Sequence, residues 1–199
     1  MKFEAEIRNT LIENTISLIA EGGFEKATTR AITYSTLPPE GIRPNEVYIY
    51  RIFGSKERLF EEAFYRLDNE LIYAILNAAE NIDKVNSSLR ESFYEVFNII
   101  WFFLLRNEAR CRSYVRLYYS VYFTGAMHVA HSKSFSRLVS TCQPLFKEEA
   151  DVRAILHSAF TALLDFAIRV FDGDLENNED NAYHVFNVVY STMSAYFKQ

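Results

Sequence analysis

Apolar residues recur at spacings of three and four along most of this chain, and the long stretches between its glycines and prolines favour helices over strands. The first stretch carries Phe3, Ile7, Leu11, Ile12, Ile16, Leu18 and Ile19 as a broad apolar face, and Gly22-Gly23 ends it as C-terminal glycines do. Phe24 follows the stop, and Thr28 or Thr29 can cap a second short helix whose Ile32 turns inward. A third short helix puts Ile49, Ile52 and Phe53 on one face, so that Val47, Tyr48 and Arg51 point away and Tyr50 lies at the flank. Gly54 breaks it without a Cβ penalty, Ser55 can cap the next helix, and Glu57 sits in that helix's first turn, where the dipole favours negative charge. Pro38-Pro39 cannot lie inside a helix, so the second helix should end near Ser35 or Thr36. Residues 37–43 then form a loop, with Pro44 in the first turn of the third helix.

From Lys56 the pattern predicts a helix of about 25 residues through Phe60, Ala63, Phe64, Leu67, Leu71 and Ile75, ending near Asn81. Ser88 to Arg106 reads as a core helix carrying Phe93, Phe97, Ile100, Trp101 and Leu104, and 109–124 as another with Tyr114, Leu117, Tyr118, Val121 and Tyr122. Gly125 marks a break before His131 to Glu149, which Pro144 kinks or divides. Asp151 can cap a helix that Gly173 stops, and a polar loop leads to a last helix from Ala182 through Phe197. The fold class is all-α.

With 199 residues the chain can bury a full core. It has no run of about 20 apolar residues and no cleavable signal, which points to a cytoplasmic protein with no membrane partner. Cys111 and Cys142 lack metal-type spacing and read as reduced, packed thiols. His128 and His131 are three apart with no carboxylate or thiol beside them in sequence, so no metal site is expected, and no cofactor. Phosphate loop, dinucleotide fingerprint and nucleophile elbow are all missing, so the sequence gives no support to an enzyme. Aromatic residues make up 16% of the chain and concentrate between Phe93 and Phe135, more than a plain surface would use. They either fill the interior of a bundle or line a pocket for an apolar or aromatic molecule, for which Trp101, Phe102, Tyr118, Tyr122 and His128 are the candidates.

Two runs occur together and in order: Gly23-Phe24-Glu25-Lys26-Ala27-Thr28-Thr29-Arg30-Ala31-Ile32, and Tyr50-Arg51-Ile52-Phe53-Gly54-Ser55-Lys56-Glu57-Arg58-Leu59. Over roughly the first third of the chain they resemble the TetR (tetracycline-repressor-like) family. The resemblance implies a three-helix helix-turn-helix head, residues 1–55, on a helical ligand-binding and dimerisation domain, residues 56–199. It also implies a transcription regulator, acting as a repressor on double-stranded DNA under the control of a small-molecule effector. By position, Thr29 and Arg30 would approach the DNA backbone or a base edge, Asn45 would stand with them at the head of the third helix, and Tyr48 would face the major groove. Tyr50 and Lys56 would hold phosphates, and Arg51 would reach a phosphate or a guanine edge. In such proteins the last two helices form a four-helix interface in a homodimer, here through Leu163, Phe166, Val185, Val189, Met193 and Tyr196. The breadth of the last helix's apolar arc fits a second buried surface. Two heads one DNA turn apart, about 34 Å, would read a pseudo-palindromic operator.

Two features depart from that pattern. The loop between the second and third helices is longer than the compact turn of such heads. The head is also formally neutral, with eight Lys and Arg against eight Glu in residues 1–60, although residues 26–58 hold six positive charges and three negative ones. The excess is local, so only a few phosphate contacts and a shallow salt dependence are expected. Glu46, at the start of the reading helix, would repel phosphates unless it accepts from a cytosine amino group. The competing reading is a dimer of the same build that binds a small molecule or a protein and no longer reads DNA.

Overall fold

Gly22 and Gly23 leave helical geometry (φ −149° and +72°) inside the first helix, α1 (Lys2–Lys26), so its apolar face stops where the sequence predicts. The computed structural model describes residues 2–35, 45–80 and 88–198, and the loop expected over 37–43 and Pro44 lie outside the described residues. After α1 come α2 (Thr29–Tyr34), α3 (Glu46–Phe53), α4 (Lys56–Glu80), α5 (Leu89–Arg106), α6 (Glu108–Tyr118), α7 (Gly125–Cys142), α8 (Val152–Asp172) and α9 (Glu179–Ser194). The described residues hold helices and a single isolated bridge between Phe146 and Phe197, so the chain is all-α.

By packing, the chain forms two compact units, Met1–Asp68 with Ala109–His131, and Asn69–Glu108 with Ser132–Gln199. In the first unit α1 packs on α2 and α2 on α3 around Ile7, Leu11, Ile16, Ile19, Ile32 and Ile49, all buried. The buried Asn14 amide donates to the Ile32 carbonyl at 2.7 Å, near the end of α2. The orphan carbonyls where α1 is interrupted also have partners, because the Arg116 guanidinium of α6 donates to the Ala20 oxygen at 2.9 Å and to that of Ile19. A cation at a helix C-terminus both satisfies these acceptors and complements the dipole. Phe24, just past the glycines, packs against Phe60 and Tyr122 with ring centroids 5.4 and 4.6 Å away.

In the second unit α5, α8 and α9 pack on one another. Ser88 and Glu91 form a reciprocal capping box at the start of α5, and Gly173 at φ +79° closes α8 with its N–H on the Val170 carbonyl. Among the described helices α8 alone is long and apolar enough to cross a bilayer by length and composition. Its Ile155, Leu156, Ala159, Phe160, Leu163 and Leu164 are buried within the unit, while Arg153, Asp165 and Arg169 are exposed along it. Arg169 Nε and Asp165 Oδ2 pair at 2.9 Å on that exposed side, the surface pair that an i, i+4 spacing allows.

Three boundaries differ from the sequence reading, each for a capping reason. α6 ends at Tyr118 rather than running to 124, because the Ser120 hydroxyl donates to the Leu117 carbonyl and accepts from the Tyr122 N–H, so Val121 and Tyr122 lie in a turn. α7 begins at Gly125 rather than near His131, because Thr124 Oγ1 accepts from the Met127 N–H at 3.3 Å and caps it. α9 begins at Glu179, three residues earlier than expected, capped by Asn178, and ends at Ser194. Pro144 does divide its segment, sitting in a short 3-10 turn, Gln143–Leu145.

Gly54, between α3 and α4, has φ +84° and ψ −36°, and a Cβ there would meet nothing within 4 Å. Its replacement by alanine therefore costs conformational strain alone. Gly54→Ala is expected to lower stability by about 1–3 kcal/mol in a urea titration, and an unchanged midpoint would show that this junction relaxes freely.

Candidate nucleic-acid interface and apolar cavity

The third helix is fixed at both ends. Asn45 Oδ1 accepts from the Val47 N–H at 3.1 Å as its N-cap, and the Gly54 N–H bonds the Tyr50 carbonyl at 2.9 Å. With Ile49 fully buried on α3, the opposite face is set by helical geometry. Val47 and Tyr50 are 66% and 56% exposed, Arg51 is exposed, and Tyr48 is half-buried with the Arg51 guanidinium carbon 4.3 Å from its ring centroid. That face is aromatic and cationic, and the stack holds Tyr48 and Arg51 as one unit.

The start of α2 lies against the start of α3. Thr28 caps α2 by accepting from the Ala31 N–H, and Thr29 Oγ1 donates to Glu46 Oε2 at 2.5 Å. Arg30 is exposed beside them. The Thr29 bond was not expected from the sequence: it gives the Glu46 carboxyl a partner within the protein and commits the Thr29 proton. On the far side, Ser55 caps α4 through the Arg58 N–H at 3.2 Å, and Lys56 Nζ lies 5.1 Å from the Phe60 ring centroid. Glu57 in that first turn is held below its ordinary carboxylate range, first by its backbone N–H and then by the Ser55 hydroxyl.

Behind this face α4 carries two buried acids that sequence reasoning missed. Glu61 accepts from Thr124 Oγ1 at 2.8 Å and from Arg58 at 2.6 Å. Seven residues on, one Asp68 oxygen accepts from the Tyr114 hydroxyl at 3.3 Å and lies 2.7 Å from His131 Nδ1, which donates in the tautomer protonated there. All three of Asp68, Tyr114 and His131 are buried. Burial, and after it the neighbouring Asp68, push the Tyr114 phenol well above its ordinary range, so it stays a donor. His131 thus pairs with a carboxylate in the core, and among the described residues no group of three or more metal-ligating side chains gathers.

The second unit holds an apolar cavity of about 120 Å³, lined from five helices and the 3-10 turn, including Ile75 of α4, Phe97 and Ile100 of α5, Cys142 of α7, Phe160 of α8 and Tyr190 of α9. None of the five residues expected to form a pocket lines it. Trp101 is buried and stacks on Phe97 at 5.8 Å, and Phe102 is 59% exposed with Arg106 over its ring. Tyr118, Tyr122 and His128 belong to the first unit: Tyr118 packs on Tyr114, Phe123 and His131, Tyr122 on Phe24 and Phe60, and His128 is exposed. Of the residues expected at a dimer interface, Leu163, Val185, Val189 and Met193 are buried within their own chain, and Leu163, Val189 and Met193 line the cavity. Phe166 is half-buried, and Tyr196, just past α9, is 46% exposed.

The fold is similar to that of solved TetR-family transcription regulators. No family model matches the sequence, and no curated protein matches it by sequence. Solved structures do match in fold over nearly the whole chain. A TetR-family transcription regulator from Marinobacter aquaeolei superposes with a TM-score of 0.72 at 16% identity, covering 96% of this chain and 97% of that one. A protein assigned to the same family from a Shewanella species gives 0.70 at 13% identity, with 97% and 99% covered. One from Mesorhizobium loti gives 0.69 at 13% identity, with 98% of each chain covered.

Proposed function

We propose that this chain is a ligand-responsive transcription regulator that binds a pseudo-palindromic DNA operator as a homodimer, with a small apolar effector held in the cavity of its second unit. The observation that carries the reading is the outward face of α3, where Tyr48 and Arg51 stack beside exposed Val47 and Tyr50, with Arg30 and Lys56 on the neighbouring helices. A capped helix with a basic, aromatic outer face suits the major groove, and flanking cations suit phosphates. Repression through release of DNA on effector binding is the mode we favour for it.

The homodimer would form on the outer faces of α8 and α9. Because Leu163, Val185, Val189 and Met193 are already buried inside one chain, a two-fold partner would meet Phe166, Val188 and Tyr196. Selection from random and genomic DNA by the purified protein, alongside its mass in solution, tests the whole reading. The expected result is one enriched sequence with two inverted half-sites, bound by a species of twice the chain mass. A folded dimer that enriches no sequence would instead support a scaffold that binds only small molecules or proteins, a reading that the Thr29–Glu46 bond favours by removing one potential DNA contact.

A further inference from the structure

We infer that the occupant of the cavity in the second unit is a small uncharged hydrocarbon-like molecule with the bulk of about one aromatic ring, and that charged molecules of the same shape are rejected. The inference rests on the proposal that this cavity is the effector site, and it concerns the chemistry that the wall can accept. Among the described residues lining the cavity none is charged, and only Thr141, Cys142, Tyr190 and the weakly accepting sulfur of Met193 interrupt a wall of aliphatic and aromatic groups. The Thr141 hydroxyl donates to the Arg137 carbonyl at 3.0 Å, so its proton is committed within α7.

An ion entering such a space loses its hydration and finds no counter-charge among these groups, whereas a hydrocarbon loses only unfavourable contact with water. Water itself gains little there, because a buried water needs two to four polar partners. Apolar cavities of roughly 150 Å³ walled by Leu, Ile and Phe stay dry and take benzene, and a volume of about 120 Å³ is of that order. Filling a preformed, poorly hydrated apolar cavity gives a negative heat-capacity change and is often driven by enthalpy, the signature expected here. The rings of Phe93, Phe97, Phe160 and Tyr190 in the wall add edge and face contacts for an aromatic guest.

Toluene, benzoate and benzylammonium test this on the full chain without DNA, by calorimetry and by the fluorescence of Trp101, the only tryptophan, which stacks on the wall residue Phe97. Saturable toluene binding at one site per chain is expected, with both ions at least tenfold weaker. Ala159→Leu and Ala79→Leu each place three extra carbons at the wall. Each should weaken toluene at least tenfold while far-UV circular dichroism stays unchanged. Ala79, less buried than Ala159, serves as the second variant should Ala159→Leu fail to fold. Equal binding of either ion, toluene binding unaffected in a folded filled variant, or no toluene binding up to its solubility overturns the inference. Since no DNA is present, failure to find an operator counts against the regulator alone, and an operator found together with absent toluene binding counts against this inference alone.

Discussion

Asp68→Ala is expected to lower the unfolding free energy by about 2–5 kcal/mol, the cost of taking a shared acceptor from two buried groups and leaving a void. One carboxyl oxygen serves both Tyr114 and His131, so its loss takes that acceptor from a buried hydroxyl and a buried imidazole. Losing a buried hydrogen bond costs each of these groups, and alanine also leaves a void beside them. Asp68→Asn keeps an oxygen of the same reach and should recover a substantial part of the loss. Urea titrations of the two variants and of His131→Ala, combined with the Asp68→Ala, His131→Ala double variant, would give the coupling between the two side chains. A coupling indistinguishable from zero would mean that the pair contributes packing alone. The consequence reaches the proposed DNA-facing side, since Asp68 and Glu61 lie on the same helix that starts at Lys56, and both hold it within the first unit.

Helix starts were legible wherever a capping side chain preceded a regular apolar stripe, as at Thr28, Ser55, Ser88 and Asp151. They were missed where the first turn is polar or small. Thr124 is followed by Gly-Ala and Asn178 by Glu-Asp-Asn, so the stripe begins a turn after the cap. α6 was read too long because Tyr118, Tyr119, Val121 and Tyr122 continue the apolar run, while the Ser120 turn that ends it has no hydrophobic signature. Asp68 could have been flagged, since it falls within the stripe of Phe60, Phe64, Leu67, Leu71 and Ile75, and an acid inside an apolar stripe needs a buried partner. The outer face of α3 was readable because a helix fixes the direction of every side chain once Ile49 is known to be inside. The cavity was not readable. Its wall is assembled from five helices, and local pattern cannot tell that Phe97 faces the space while its neighbour Trp101 packs behind it and Phe102 turns to solvent.

On an operator found by selection, Tyr48→Ala and Lys56→Ala are expected to separate base reading from phosphate holding. A lost groove contact costs roughly 1–3 kcal/mol per half-site, so in a dimer Tyr48→Ala should weaken the operator complex by at least thirtyfold and flatten its preference at one position in each half-site. The Arg51 guanidinium rests on the Tyr48 ring, so removal of the ring also frees Arg51. Tyr48→Phe keeps that stack and removes only the hydroxyl, which assigns the effect to one or the other. Lys56 stands at the N-terminus of α4, where the helix dipole and an ammonium act together on an anion. Its replacement by alanine should weaken all sequences alike and reduce the slope of log affinity against log salt by about 0.9 per subunit. The slope of the unaltered protein should itself correspond to only a few phosphates per subunit, because the six cations of residues 26–58 are set against three acids. A slope equivalent to ten or more contacts per dimer, or a Lys56→Ala variant that changes sequence preference without changing the slope, would assign the DNA contacts to a different surface. If both variants bind as the unaltered protein does, the aromatic and basic face of α3 is not the surface that meets the operator.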